Sequence, residues 1–121
     1  MLESILGSLV REQVLVYLHA FGEGYARQIA DYFHSSLDSV QKQLKRLECD
    51  DVLISRRFGR TIVYEFSDEF PFRSEIGLLV EKLIELDADS YGKLATTTEP
   101  AAVQENRARS IVRRRYDRLT R

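Results

Sequence analysis

The sequence predicts a mainly helical domain with one small β-hairpin, an α+β arrangement, followed by a further helix and a basic C-terminal segment. Three observations carry this. Apolar residues recur at helical spacing as far as Leu47. The rhythm then changes to short β-branched and aromatic runs in VLISRR and TIVYEF. It returns to helical spacing, as a heptad-like seam, between Phe72 and Leu86.

Each element has its own local warrant. Ser8 is placed to cap a first helix, in which Val10, Val14, Leu18 and Phe21 share one face. Gly22 and Gly24 in FGEG favour turn geometry and end it. YARQIADYF reads as a short second helix that turns Ala26, Ile29, Ala30 and Phe33 inward. HSS interrupts, and Ser36 or Ser35 can cap a third helix by accepting from exposed backbone N–H groups. That helix carries Val40, Leu44 and Leu47 at i, i+4 and i+7 and ends near CDD. FGR is the turn between two strands, and the alternation of Ile62, Tyr64 and Phe66 buries one face of the second. Pro71 suits the first turn of a fourth helix, PFRSEIGLLVEKLIEL. Its apolar positions Phe72, Ile76, Leu79, Leu83 and Leu86 form a seam, with Val80 and Ile84 as a second strip beside it. Past Asp87 periodicity gives way to Ser, Thr, Gly and Pro. The expected organisation is thus a domain over residues 1–86, a linker over 87–100 and a basic amphipathic helix over 101–121.

Bulk properties narrow the class. The 121 residues are 44% hydrophobic and 31% charged, the balance of a packed domain rather than a disordered chain. A single cysteine, Cys49, leaves no internal disulfide and fits a reducing cytoplasm. The N-terminus lacks the basic-then-apolar pattern of a signal peptide, and no apolar run is long enough to span a bilayer, so a cytoplasmic protein without membrane attachment is expected. The net charge of −1 conceals an asymmetry: from Glu105 onward seven arginines face two acids, a net +5, which leaves −6 on the preceding 104 residues.

ARQIADYFHSSLDSVQKQLKRLECDDVLISRRFGRTIVYEF resembles the helix-turn-helix and wing of bacterial and archaeal regulators of the MarR and ArsR type. The pieces that carry the resemblance are IADYF, the polar cap, SVQKQLKRLE and SRRFGRTIVYEF, within residues 5–86. It implies a winged helix-turn-helix that binds double-stranded DNA, and a helix after the wing that builds a dimer. The sequence departs from the family pattern in the turn, where His34 stands at a frequent glycine and Ser35 at an aliphatic plug. Asp51 occupies the glycine position after the third helix, where aspartate tolerates left-handed geometry.

The residues support the same use independently. With Val40, Leu44 and Leu47 inward, Asp38, Lys42 and Lys45 point away from the core, flanked by Ser39, Gln41 and Arg46. Lys42 suits guanine and Gln41 suits adenine in a major groove, with Ser39 beside them. Lys45 and Arg46 are better placed for phosphates, as is Ser36 at the helix start. Asp38 repels phosphate but can accept from cytosine N4. Arg56, Arg57 and Arg60 surround Gly59 at a basic tip suited to backbone or minor groove. The alternative is a plain solvated face.

Phe72, Ile76, Leu79, Leu83 and Leu86 are expected to meet a second copy, giving two recognition helices about one DNA turn apart and an inverted-repeat operator; the alternative is that they are monomer core. In the tail, Arg107, Arg113, Arg114, Arg115 and Arg118 can engage DNA, an acidic protein partner, a membrane surface (least favoured, lacking Trp and Phe) or the acidic body of the chain itself. His19 and His34 have no partners at metal-ligand or triad spacing, no glycine-rich phosphate loop is present, and the ArsR cysteine cluster is missing, so neither enzyme, metal site nor cofactor is expected. Two functions follow: a DNA-binding transcriptional regulator acting as a dimeric repressor, or a winged-helix protein-interaction adaptor, autoregulating in one version, that uses its Arg-rich tail.

Overall fold

A computed structural model describes residues 1–95. Its elements are α1 (Glu3–Leu6), α2 (Leu9–Phe21), β1 (Glu23–Tyr25), α3 (Ala26–Phe33), α4 (Leu37–Cys49), β2 (Leu53–Phe58), β3 (Thr61–Phe66), α5 (Arg73–Leu86) and α6 (Ala88–Ala95). The expected basic helix over 101–121 lies outside the described residues.

Both serine caps form. Ser8 Oγ accepts from Arg11 N at 3.3 Å and Ser36 Oγ from Ser39 N at 3.3 Å, each satisfying an N–H that the helix leaves without a partner. Ser35 is used differently. Its hydroxyl donates to Gln13 Oε1 at 2.8 Å and so ties the α3–α4 turn to α2, at the position where the resembled pattern has an aliphatic plug. His34 (φ 56°) and Asp51 (φ 62°) both adopt the left-handed conformation, each ending a helix without glycine.

The main core joins Val14, Leu18, Ile29, Val40, Leu44, Leu53, Tyr64 and Phe66, drawn from α2, α3, α4 and the sheet. The inward residues read on α3 and α4 are buried or half-buried, whereas α2 also buries Glu12, Leu15, Val16, Tyr17 and Ala20 outside the face read for it. The sheet differs: it has three strands, ordered β1-β3-β2 and antiparallel throughout. The added strand β1 takes Glu23 and Gly24 from the stretch read as a turn and Tyr25 from the start of the helix read as YARQIADYF. Gly24 permits it, because a Cβ there would stand 2.7 Å from Tyr17 Cε1. In β3 the alternation fails at its start: Ile62 near the hairpin tip stays exposed, whereas Val63 on the opposite face is buried.

α5 starts at Arg73, two residues after Pro71, which therefore precedes the first turn instead of occupying it. The expected linker is also corrected, since residues 88–95 form α6 and only 96–100 lie outside the described residues. Tyr91 explains the difference. It is 1% exposed and donates its hydroxyl to Glu12 Oε2 at 2.5 Å. Glu12, itself buried, also accepts from the Met1 amine and from Leu2 N, so the N-terminus, α2 and α6 converge on one carboxylate. Burial together with the Glu12 carboxylate pushes the Tyr91 phenol well above its ordinary pKa.

This second core changes the α5 seam. Val16, Val80, Leu83 and Tyr91 pack together, with Ile76 and Ile84 against them. Leu83 and Ile76 thus face the chain's own interior, where the sequence placed them on a second copy. Phe72, Leu79 and Leu86 remain outward at seven-residue spacing, joined by Leu78.

Candidate nucleic-acid interface

α4 presents two parallel strips to solvent. One runs Asp38, Lys42, Arg46, Asp50 at four-residue spacing, so successive side chains stack on one face. Lys42 Nζ lies 3.0 Å from Asp38 Oδ2, and Arg46 Nε 3.9 Å from Asp50 Oδ2. Each cation on this strip has a carboxylate beside it.

The second strip is Leu37, Gln41 and Lys45. It forms one wall of an open groove of about 370 Å³, whose other wall is Arg60, Thr61 and Ile62 of the hairpin. Ala26 and Arg27, from the start of α3, also line it, as do Tyr25 and Tyr64. Three cations from three elements, Arg27, Lys45 and Arg60, therefore border one cleft. Gly59 (φ 63°) makes the turn that carries Arg60 back toward α4.

No protein-family model matches the chain, and no curated protein matches it in sequence. Solved structures do match. The crystal structure of YusO from Bacillus subtilis superposes with a TM-score of 0.52 at 20% identity, over 88% of this chain and 74% of that one. A double mutant of ZitR from Lactococcus lactis gives 0.54 at 16% identity, over 93% and 73%. The same mutant in apo form gives 0.52 at 20% identity, over 92% and 79%. With α3, turn, α4 and hairpin in this order, the architecture is decided. The fold is a winged helix-turn-helix.

Within the winged helix-turn-helix, α3 and α4 are the helix pair and β2–β3 is the wing. Ser36, Asp38, Gln41, Lys42, Lys45 and Arg46 are exposed on or before α4, as the sequence reading has them. Ser39 is half-buried, and its own N–H is held by the Ser36 cap. Arg57 and Arg60 are exposed on the wing.

Arg56 is different. Its guanidinium sits 2.9 Å from Glu65 and 3.6 Å from Glu23, which are paired opposite one another on β3 and β1. Like charges facing across a ladder repel, and Arg56 bridges them. Its place is structural, on the sheet rather than at the tip.

Arg27, Tyr25, Thr61 and Ile62 were missed as groove residues. The available signal was Arg27, a charged position in the first turn of α3. The predicted tail residues Arg107, Arg113, Arg114, Arg115 and Arg118 lie outside the described residues.

Away from this interface, His19 links α2 to α5, with Glu81 Oε1 3.3 Å from Nε2 and Arg73 Nη1 3.2 Å from Nδ1. Burial lowers its pKa and Arg73 lowers it further, while Glu81 opposes both. Among the described residues no group of three or more His, Cys, Asp and Glu is placed to hold a metal ion. None of the described helices is long and apolar enough to cross a membrane.

Proposed function

We propose that this chain is a sequence-specific double-stranded DNA-binding transcriptional regulator that works in the cytoplasm as a dimeric repressor. The observation that carries the reading is the groove in which Gln41 and Lys45 of α4 face Arg60 of the wing and Arg27 of α3. A helix able to enter a major groove and a basic hairpin able to reach the neighbouring backbone stand side by side. Gln41 supplies base-edge contact, and Lys45, Arg27, Arg57 and Arg60 hold phosphates. Occupying an operator that overlaps a promoter blocks transcription sterically, and repression of that kind asks nothing further of the fold. The outward Phe72, Leu78, Leu79 and Leu86 of α5 are the surface for a second copy.

The same apolar stripe favours a second reading, an adaptor that binds another protein. The experiment that separates the two is binding of the full chain to its own upstream DNA and to random duplex across a salt series. The regulator binds the first far more tightly than the second. Equal binding with a steep salt slope reduces the basic residues to a non-specific surface, and no binding to either duplex at physiological salt removes the regulator. Arg57→Ala is expected to weaken binding to all duplexes alike and to flatten the salt dependence by about one unit.

A further inference from the structure

The Asp38–Lys42–Arg46–Asp50 strip lies on the exposed face of the helix proposed to read DNA, yet its charges cancel. As the acid in the first turn of α4, Asp38 complements the helix dipole, but it works against a surface meant only to grip phosphates. Its carboxylate repels the backbone and also engages Lys42, the cation beside it, at 3.0 Å. Both side chains are 73% exposed, so burial does not require the pairing.

A base edge gives it a use. On the major-groove edge of a C·G pair the cytosine N4 donor and guanine O6 acceptor are themselves joined by a hydrogen bond of about 2.9 Å. An acceptor and a donor 3.0 Å apart, as Asp38 Oδ2 and Lys42 Nζ are, match that edge atom for atom. The carboxylate accepts from N4 while the ammonium donates to O6 and N7. An A·T pair offers the same spacing between adenine N6 and thymine O4, so the choice falls to the groups that flank it. A carboxylate on adenine N6 meets the neighbouring N7 acceptor, and the lysine finds one acceptor, thymine O4, beside a methyl group.

We propose that Asp38 and Lys42 act as one reading unit for a single C·G base pair, and that Asp38 keeps Lys42 from contributing to non-specific phosphate binding. This inference rests on the DNA-binding reading above and adds which base pair α4 selects. Negative charge placed against the wrong partner is a recognised route to specificity. The gain here is a weaker hold on random duplex without loss at the chosen site.

The test is selection of preferred duplexes from a randomised pool by the full chain, by Asp38→Ala and by Lys42→Ala. Affinities for the wild-type site, its single-pair variants and random duplex are then measured at fixed salt. The wild-type site contains a C·G pair whose replacement by T·A, or whose inversion, weakens binding roughly tenfold. Both substitutions abolish that penalty at the same pair. Asp38→Ala also binds random duplex more tightly, with a salt slope steeper by about one unit, because Lys42 is freed. The proposal is overturned if Asp38→Ala retains the wild-type preference at every pair, or if the two substitutions relax different pairs. A wild type that does not distinguish its selected site from random duplex instead removes the DNA-reading proposal, and this one with it.

Discussion

Arg56 and Arg57 are adjacent in a strand, so their side chains leave on opposite faces and meet different surroundings. Arg56 stands between Glu65 and Glu23, and Glu23 is 3% exposed. Arg56→Ala removes a cation between two facing carboxylates, one of them shielded from water. With Arg56 itself half-exposed, solvent screening limits the loss to about 1–2 kcal/mol, read as a lower urea midpoint. Arg57→Ala leaves the midpoint where it was and changes only affinity for duplex. A matching loss of stability in both variants would show that the wing, not the Glu23–Arg56–Glu65 arrangement, is what the first substitution damages. A run of three arginines near a glycine shows basic character in the sequence but not which member is bound to its own sheet. That depends on β1, which lies more than thirty residues upstream of Arg56.

At the scale of elements, α2, α3, α4, the hairpin and α5 were legible because each writes its own period, cap or turn into the chain. Ser8, Ser36 and the left-handed His34 and Asp51 fall where local chemistry places them. β1 and α6 were not legible, β1 because it has only three residues, and α6, though as long as α3, because Ser90 and Gly92 make its stretch read as a linker. β1 exists through a close approach to Tyr17, whose ring packs at 4.6 Å from Phe21 and 5.4 Å from Tyr32. Gly24→Ala sets a methyl group against that held ring and is expected to destabilise by about 1–3 kcal/mol in a thermal or urea melt. α6 exists through Tyr91. Tyr91→Phe keeps the ring and removes the hydroxyl from Glu12, an expected loss of about 1–2 kcal/mol. The α2–α5 junction adds a pH dependence. His19 has a lowered folded-state pKa, so the unfolded chain takes up its proton first. Its contribution to stability is present above the unfolded value of about 6.5 and is lost as pH falls through the folded one. His19→Gln is expected to show a smaller drop in urea midpoint between pH 7 and pH 5 than wild type. An equal drop would place the acid sensitivity in other groups.

For the whole molecule, the division of α5 between two surfaces decides what assembly is possible. A heptad spacing read from sequence does not say which residues a neighbouring helix will claim. Here α6 and Val16 claim Leu83, Ile76 and Val80, and what remains is Phe72, Leu79 and Leu86 in line, with Leu78 beside them. Phe72 and Leu86 are each 60% exposed and Leu78 is 68% exposed, so a charge at any of these positions disturbs no interior packing. Leu86→Glu combined with Phe72→Glu is therefore expected to leave the melting of the folded monomer unchanged while shifting full-length protein from dimer to monomer in sedimentation equilibrium. The same variant loses the gain in affinity that an inverted repeat has over a single half-site, because two α4 helices reach successive major grooves only when the protein two-fold sets them about 34 Å apart. Inserting about five base pairs between half-sites, half a helical turn, then weakens wild type strongly and the variant hardly at all. If wild type sediments as a monomer, or if the variant stays a dimer, the α5 stripe is not the two-fold contact, and its apolar residues belong to the adaptor reading instead.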